Sequence, residues 1–118
     1  MATGVPGVFF NAKSAEHVAA GTVVFEEGSP GSQMYGVIEG EIELRTSAGK
    51  TIKVGPNGTF GEMAIIDHSP RNATAVAITD SKLAVIDERT FLFLIHETPT
   101  FALQVMRTLT SRLRAASG

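Results

Sequence analysis

Between Phe60 and Ala75 the chain reads Phe-Gly-Glu-Met-Ala-Ile-Ile-Asp-His-Ser-Pro-Arg-Asn-Ala-Thr-Ala, its densest concentration of residues suited to chemistry. Gly61 lets the backbone approach a ligand closely. Gly61 to Ile66 has the propensity for one or two helical turns, opening with amides at Gly61, Glu62, Met63 and Ala64. Helix N-termini and clustered amides attract phosphate. Arg71 follows a Ser-Pro turn, and a guanidinium grips a phosphate through two oxygens. The Glu62 carboxylate can accept a hydrogen bond from a sugar hydroxyl. Taken singly, Arg71 would be a surface charge and Glu62 a carboxylate placed favourably in a helix dipole. Together with Gly61 they describe a site for a ribose carrying a phosphate.

Other chemistry finds little support. His17, His68 and His96 are far apart, and no metal-ligand spacing joins them. There is no cysteine, hence no disulfide framework and no thiolate metal site. A nucleophile triad has no elbow motif to seat it. A metal-dependent enzyme on a β-roll would need clustered His and Glu on its strands, and these strands carry none. The chain therefore reads as a binding protein and not an enzyme, without a cofactor. Ten basic against 12 acidic residues leave a net charge of -2, with no global basic footprint for nucleic acid. Met1 to Phe10 lacks the basic region of a secretory signal, and no apolar run approaches the roughly 20 residues of a membrane span. A cytoplasmic location is the expectation.

These residues need a frame to hold them. At 118 residues, 43% of them hydrophobic, the chain is expected to be one domain over 1–118 with a real core. Nine of the 12 glycines lie from Gly21 to Gly61 and none between Glu62 and Ser117, which separates a turn-rich first part from a part able to carry helices. Thr3 to Phe10 reads as a short strand or an arm. Asn11 to Ala20 fits either a helical turn or a strand at Glu16-His17-Val18. Strands are expected at Thr22–Phe25, Gln33–Ile38, Glu41–Arg45, Thr51–Val54, Ala73–Thr79 and Lys82–Ile86, separated by turn signals such as Glu27-Gly28-Ser29-Pro30-Gly31. Asp87 is a plausible N-cap for a helix over Glu88 to Glu97. Thr98-Pro99 starts another. In that last helix Ala102, Met106, Leu109, Leu113 and Ala116 are spaced 4-3-4-3 as one apolar stripe, widened by Phe101 and Val105. Packing against the roll is the first expectation for this stripe, and a dimer seam the second.

The Phe60–Ala75 segment resembles the phosphate-binding cassette of cyclic nucleotide-binding domains, the family of the catabolite activator protein and the protein kinase A regulatory subunits. Phe60-Gly61-Glu62-Met63-Ala64 and Pro70-Arg71-Asn72-Ala73-Thr74 match the family's F-G-E-[LM]-A and P-R-x-A-[TS]. Val24-Phe25-Glu26-Glu27-Gly28, Met34-Tyr35 and Ile38-Glu39-Gly40-Glu41-Ile42 are similar to its β-roll, and Phe91, Pro99 and Arg112-Leu113 to its closing helices. The resemblance runs from about Ala20 to Ser117. It implies a mainly β fold: an antiparallel β-roll (double-stranded jelly roll, about 16–87) with a short cassette helix and two C-terminal α-helices (about 88–116).

The same resemblance implies roles. Glu62 would hold the ribose 2′-hydroxyl and Arg71 the cyclic phosphate, with the amides of Gly61, Met63, Ala64, Asn72 and Ala73 completing the cradle. Arg112, Arg114 and Ser117 would be candidates to cap the base. Ser or Thr after the arginine is associated with cGMP preference or an added phosphate contact; Asn72 stands there instead, so cAMP is expected ahead of cGMP. Ligand binding would move the two terminal helices and close a lid over the base. With the chain ending at Gly118, no helix-turn-helix reader is in view. Direct DNA binding is not expected, and output would pass to an unidentified effector protein or through a homodimer built on the C-terminal helix. The alternative is a ligand-independent interaction or dimerisation module with a degenerate pocket.

Overall fold

The computed structural model describes residues 15–117, with side chains as far as Ala115. The arm or strand expected at Thr3 to Phe10 lies outside the described residues. Among the described residues, eight strands form two antiparallel four-stranded sheets. They are β1 (Ala15–Val18), β2 (Val23–Phe25), β3 (Gln33–Glu39), β4 (Ile42–Arg45), β5 (Thr51–Val54), β6 (Thr59–Phe60), β7 (Thr74–Ala77) and β8 (Ser81–Asp87). One sheet has the order β1-β8-β3-β6 and the other β2-β7-β4-β5. Of the open choice at Asn11 to Ala20, Ala15–Val18 form strand β1, and residues 11–14 lie outside the described residues. Strand β6, only two residues long, was not expected from the sequence.

Alternation along the strands assigns each face. On β3, Tyr35 and Val37 point between the sheets while Met34 and Ile38 point to the helices; on β8, Leu83 and Val85 pair with the first set and Ala84 and Ile86 with the second. The inter-sheet core also takes Ile42 and Leu44 from β4, Val54 from β5, Phe60 from β6 and Ala75 and Ala77 from β7. Glu43, on the outward face of β4, meets Arg45 at 2.6 Å. The β4–β5 hairpin closes through the Thr46 amide on the Lys50 carbonyl at 2.9 Å, with Gly49 at φ 88°. Full burial of each of the larger of these side chains stabilises the roll by about 1.5–3 kcal/mol.

The cassette helix α1 (Met63–Ile66) lies between β6 of one sheet and β7 of the other, so its segment carries the chain across the roll. Helix α2 (Glu88–Glu97) starts where expected: Asp87 Oδ1 accepts from the Thr90 amide at 2.8 Å. Hydrogen bonding from Thr90 holds the Asp87 carboxyl below its ordinary value. Helix α3 (Thr100–Ser117) follows.

The apolar stripe of α3 needs a correction. Phe101 and Val105 are buried against Met34, Ala84 and Ile86, and Leu109 is half-buried, but Met106 is 59% and Leu113 68% exposed. The packed side is centred about one residue away from the stripe read in sequence. Buried Gln104 also lies on it, its side-chain amide donating to the Asn57 carbonyl at 2.7 Å. Phe91 of α2 meets Phe101 edge-on at 5.9 Å, joining the two helices. No helix among the described residues is long and apolar enough to cross a membrane.

Candidate functional site

Arg71 sits where the cassette returns to the roll, and its backbone is fixed on both sides. Its amide donates to the Ser29 carbonyl at 2.9 Å, and its carbonyl accepts from Gly28 at 2.7 Å. The side chain turns inward and is only 7% exposed. Nη1 donates to the carbonyls of Gln33 at 2.7 Å and Gly61 at 3.2 Å. The guanidinium carbon lies 4.1 Å from the centre of the Phe25 ring and 5.9 Å from that of Tyr35, within range of cation–π attraction. Phe25, Tyr35 and Phe60 pack together, the last two stacked at 5.2 Å.

Burial lowers the Arg71 pKa, with Tyr35 opposing, and burial raises that of the Tyr35 hydroxyl, with Arg71 opposing. An arginine stays charged under such pressure. Yet Arg71 Nε is buried without a hydrogen-bond partner, and among the described residues no carboxylate pairs with the guanidinium. Two glycines make room for it. A Cβ on Gly31 would stand 2.4 Å from the guanidinium carbon, and one on Gly61, at φ 81°, would stand 2.8 Å from Nη1.

Glu62, beside Gly61, is 2% exposed. Its Oε2 accepts from the Thr59 hydroxyl at 2.5 Å, and its Oε1 from Arg112 Nη1 at 3.0 Å. Arg112 Nη2 also donates to the Thr59 carbonyl. Arg112 thus ties the last helix to Glu62 by a polar contact, beside the apolar cluster that Ile65 shares with Phe101 and Val105. A cleft of about 400 Å³ opens between α3 and the β5–β6 region, with Ile52, Val54, Thr59, Thr108, Ser111 and Arg112 among its walls. It offers apolar surface from Ile52 and Val54, hydroxyls from α3, and cations from Lys53, Arg107 and Arg112.

Of the residues singled out in the sequence, Gly61, Glu62 and Arg71 come together around the cassette, and Arg112 joins them from α3. Met63 is half-buried, while Ala64 and Ala73 pack inward. Asn72 and Arg114 are exposed, and the Ser117 side chain lies outside the described residues. Sequence reading missed Gly31, Phe25, Tyr35 and the Gln33 carbonyl as neighbours of Arg71. The Pro30-Gly31 turn and the apolar runs of β2 and β3 were visible, but nothing local shows that they surround an arginine some forty residues on. Among the described residues no group of three or more His, Cys, Asp or Glu could hold a metal ion. Arg71 thus presents a buried positive charge with no carboxylate partner, the kind of group that an anion can meet.

Comparison with known proteins gives this geometry a lineage. The family model described as the cyclic nucleotide-binding domain matches residues 15–98. A cyclic nucleotide-gated potassium channel of Mesorhizobium japonicum is 35% identical over 103 residues, 87% of this chain and 28% of the channel. A CRP-like cAMP-activated global transcriptional regulator of Mycobacterium tuberculosis is 35% identical over 100 residues, 80% of this chain and 44% of the regulator. This chain thus spans less than half the length of either curated relative. The crystal structure of the Thermus thermophilus catabolite activator protein superposes with a TM-score of 0.75 at 30% identity, over 96% of this chain and 57% of that one. A roll crossed by the Phe60–Thr74 cassette, and a model match over most of the length, lead to one conclusion: the chain belongs to the cyclic nucleotide-binding domain family.

Proposed function

We propose that the chain is a sensor that binds a cyclic nucleotide, cAMP in preference to cGMP, and transmits binding through movement of its two C-terminal helices. The observation that carries this reading is Arg71: a cation 7% exposed, with a buried Nε that has no partner. A buried charge is expensive unless an opposite charge meets it. A cyclic phosphate supplies that charge and the missing acceptor. Glu62 takes the ribose 2′-hydroxyl, and the amides of Gly61, Met63, Ala64, Asn72 and Ala73 complete the cradle. The base lies toward α3, its cap drawn from Arg112, Arg114 and Ser117. Binding shifts the helices only so far as the nucleotide favours one of their arrangements. We assign the chain no reaction of its own and place it in the cytoplasm.

Calorimetry of the purified chain with cAMP and with cGMP tests this. Heat and thermal stabilisation with cAMP are expected, weaker with cGMP, and lost in Arg71→Ala. No heat with either nucleotide refutes the sensor; an Arg71→Ala chain that binds as tightly as the parent refutes the phosphate contact.

A second reading rests on a separate observation. Leu103, Met106 and Leu113 on α3, with Leu92 and Phe93 on α2, are 46–68% exposed. Such a surface fits a homodimer through the C-terminal helix or capture of an effector protein. Self-association that ignores nucleotide and disappears in Leu113→Glu would favour an interaction module over a sensor.

A further inference from the structure

We propose that Gln104 is a positioning residue of the nucleotide site: it fixes the turn before β6 and, through that turn, the carboxylate of Glu62. The inference rests on the nucleotide reading above and extends it to a residue two turns of α3 ahead of Arg112. Gln104 lies on the packed side of its helix, beside Phe101 and Val105, and is 2% exposed. A side-chain amide in such a seam is costly unless it is hydrogen-bonded. Nε2 donates to the Asn57 carbonyl at 2.7 Å, across 47 residues of sequence. That carbonyl belongs to the turn Gly55-Pro56-Asn57-Gly58, closed by the Gly58 amide on the Gly55 carbonyl at 3.0 Å. Asn57, at φ 70°, takes the third position of a type II turn, where most side chains are disfavoured and contacts must hold the backbone. Two such contacts come from β3: the Asn57 amide on the Val37 carbonyl at 2.8 Å, and the Val37 amide on the Gly58 carbonyl at 2.9 Å. Gln104 supplies the contact from the helix side.

The turn delivers Thr59. This residue is fully buried, and its hydroxyl donates to Glu62 Oε2 at 2.5 Å. Only two residues separate Asn57, held by Gln104, from Thr59, which sets one oxygen of the carboxylate. The other oxygen is set by Arg112 at 3.0 Å. The last helix therefore reaches Glu62 by two routes: directly through Arg112, and indirectly through Gln104, the turn and Thr59. A carboxylate that must meet one ribose hydroxyl has to be held to within about 0.5 Å by its neighbours. Methionine at position 104 would fill nearly the same space without a donor. The Asn57 carbonyl would then lose its helix-side partner, and the Thr59 hydroxyl would be held less closely against Glu62.

The test compares cAMP with 2′-deoxy-cAMP, which keeps the cyclic phosphate and the base but lacks the hydroxyl assigned to Glu62. Calorimetry on the full chain should show cAMP binding the more tightly. In Gln104→Met the ratio of the two affinities should shrink about fivefold, a part of the roughly 10- to 150-fold that a hydrogen bond to a charged group can contribute. A residue that only packs the helix would weaken both ligands alike, so an unchanged ratio in a folded variant overturns the proposal. Thr59→Val keeps the branched shape and removes the hydroxyl. It should shrink the ratio too, and the double variant should lose no more than Thr59→Val alone; fully additive losses overturn the route through the turn. If Gln104→Met does not fold, NMR of the unmodified chain decides: cAMP should shift the Gln104 side-chain amide resonance more than 2′-deoxy-cAMP does, and equal shifts overturn the proposal. If the parent binds neither cAMP nor cGMP up to millimolar concentration, the sensor reading itself has failed and the positioning role falls with it. If the parent binds cAMP and the variant keeps the parent's ratio, the positioning role alone has failed.

Discussion

Gly31→Ala is the sharpest test of how Arg71 is placed, because it alters neither the arginine nor any charge. The new Cβ would stand 2.4 Å from the guanidinium carbon and from Nε, and 2.5 Å from Nη2. Ordinary contact requires the guanidinium to retreat by about 1 Å. The atoms in the way end a flexible side chain, so the fold can absorb the change: Arg71 moves and the backbone need not. Its bond to the Gln33 carbonyl, now 2.7 Å, is lost on that retreat, and the stacking over Phe25 at 4.1 Å is disturbed. A hydrogen bond to a charged group contributes about 1.5–3 kcal/mol, so a phosphate that loses one good contact should bind roughly 10- to 150-fold more weakly. Stability should fall by about 1.5–3 kcal/mol, the worth of that lost hydrogen bond to a charged group. Calorimetry with cAMP gives the first number and urea denaturation the second. Unchanged affinity would show that the guanidinium position seen here is not the one that meets phosphate. A chain that no longer folds would show that Gly31 serves the backbone instead.

Three further substitutions probe the frame. Phe25→Leu removes the ring beneath the guanidinium while keeping an apolar side chain; a loss of about 0.5–2 kcal/mol, seen as a several-fold weaker affinity for cAMP, is expected, and no change would dismiss the cation–π contact. Phe101→Ala empties the seam between the helices and the β3–β8 face; urea denaturation should show about 3–5 kcal/mol of destabilisation, and less than about 1 kcal/mol would mean that α3 is not anchored there. Asp87→Asn keeps an acceptor for the Thr90 amide but removes the charge. The folded-state pKa of Asp87 is lowered, so its contribution is present above the unfolded value and disappears as pH falls through the folded one. The melting temperature of the parent should therefore exceed that of the variant at neutral pH, and the gap should close as pH falls below the ordinary carboxylate range; a constant gap would refute the assignment.

The strands were legible where one face meets water and the other a core. Ile42, Glu43, Leu44 and Arg45 alternate in burial as they alternate in type, and the β4–β5 hairpin fell at its turn residues. The start of α2 was legible because capping is local: Asp87 and Thr90 are three residues apart. Strand β6 was not, since two residues have no period. On α3 the sequence offers two apolar rows. Ala102 and Met106 lie one residue on from Phe101 and Val105, about 100° around the helix. Periodicity alone cannot choose between them. Tertiary contact chose the row with Phe101, whose aromatic bulk fills the space over Met34 and Ile86. The cassette residues were legible as types at a spacing. Their surroundings were not, because Phe25, Gly31, Gln33 and Tyr35 reach Arg71 only through the pairing of distant strands.

Those surroundings bear on why the site is built as it is. A roll shaped for stability alone would replace Arg71 by an apolar side chain of similar size, since burying an ion is costly even when it is paired. Instead two glycines leave the guanidinium its space, two main-chain carbonyls hold one of its nitrogens, and aromatic rings occupy one side of it. These neighbours orient the charge without neutralising it, as a carboxylate would. An oriented, uncompensated charge in a poorly solvated place attracts an anion more strongly than the same charge in water. Glu62 is treated in the opposite way: its charge is matched by Arg112 on the last helix. Under the proposed reading, the residue that would meet phosphate is fixed within the roll, and the one that would meet ribose is tied to the last helix.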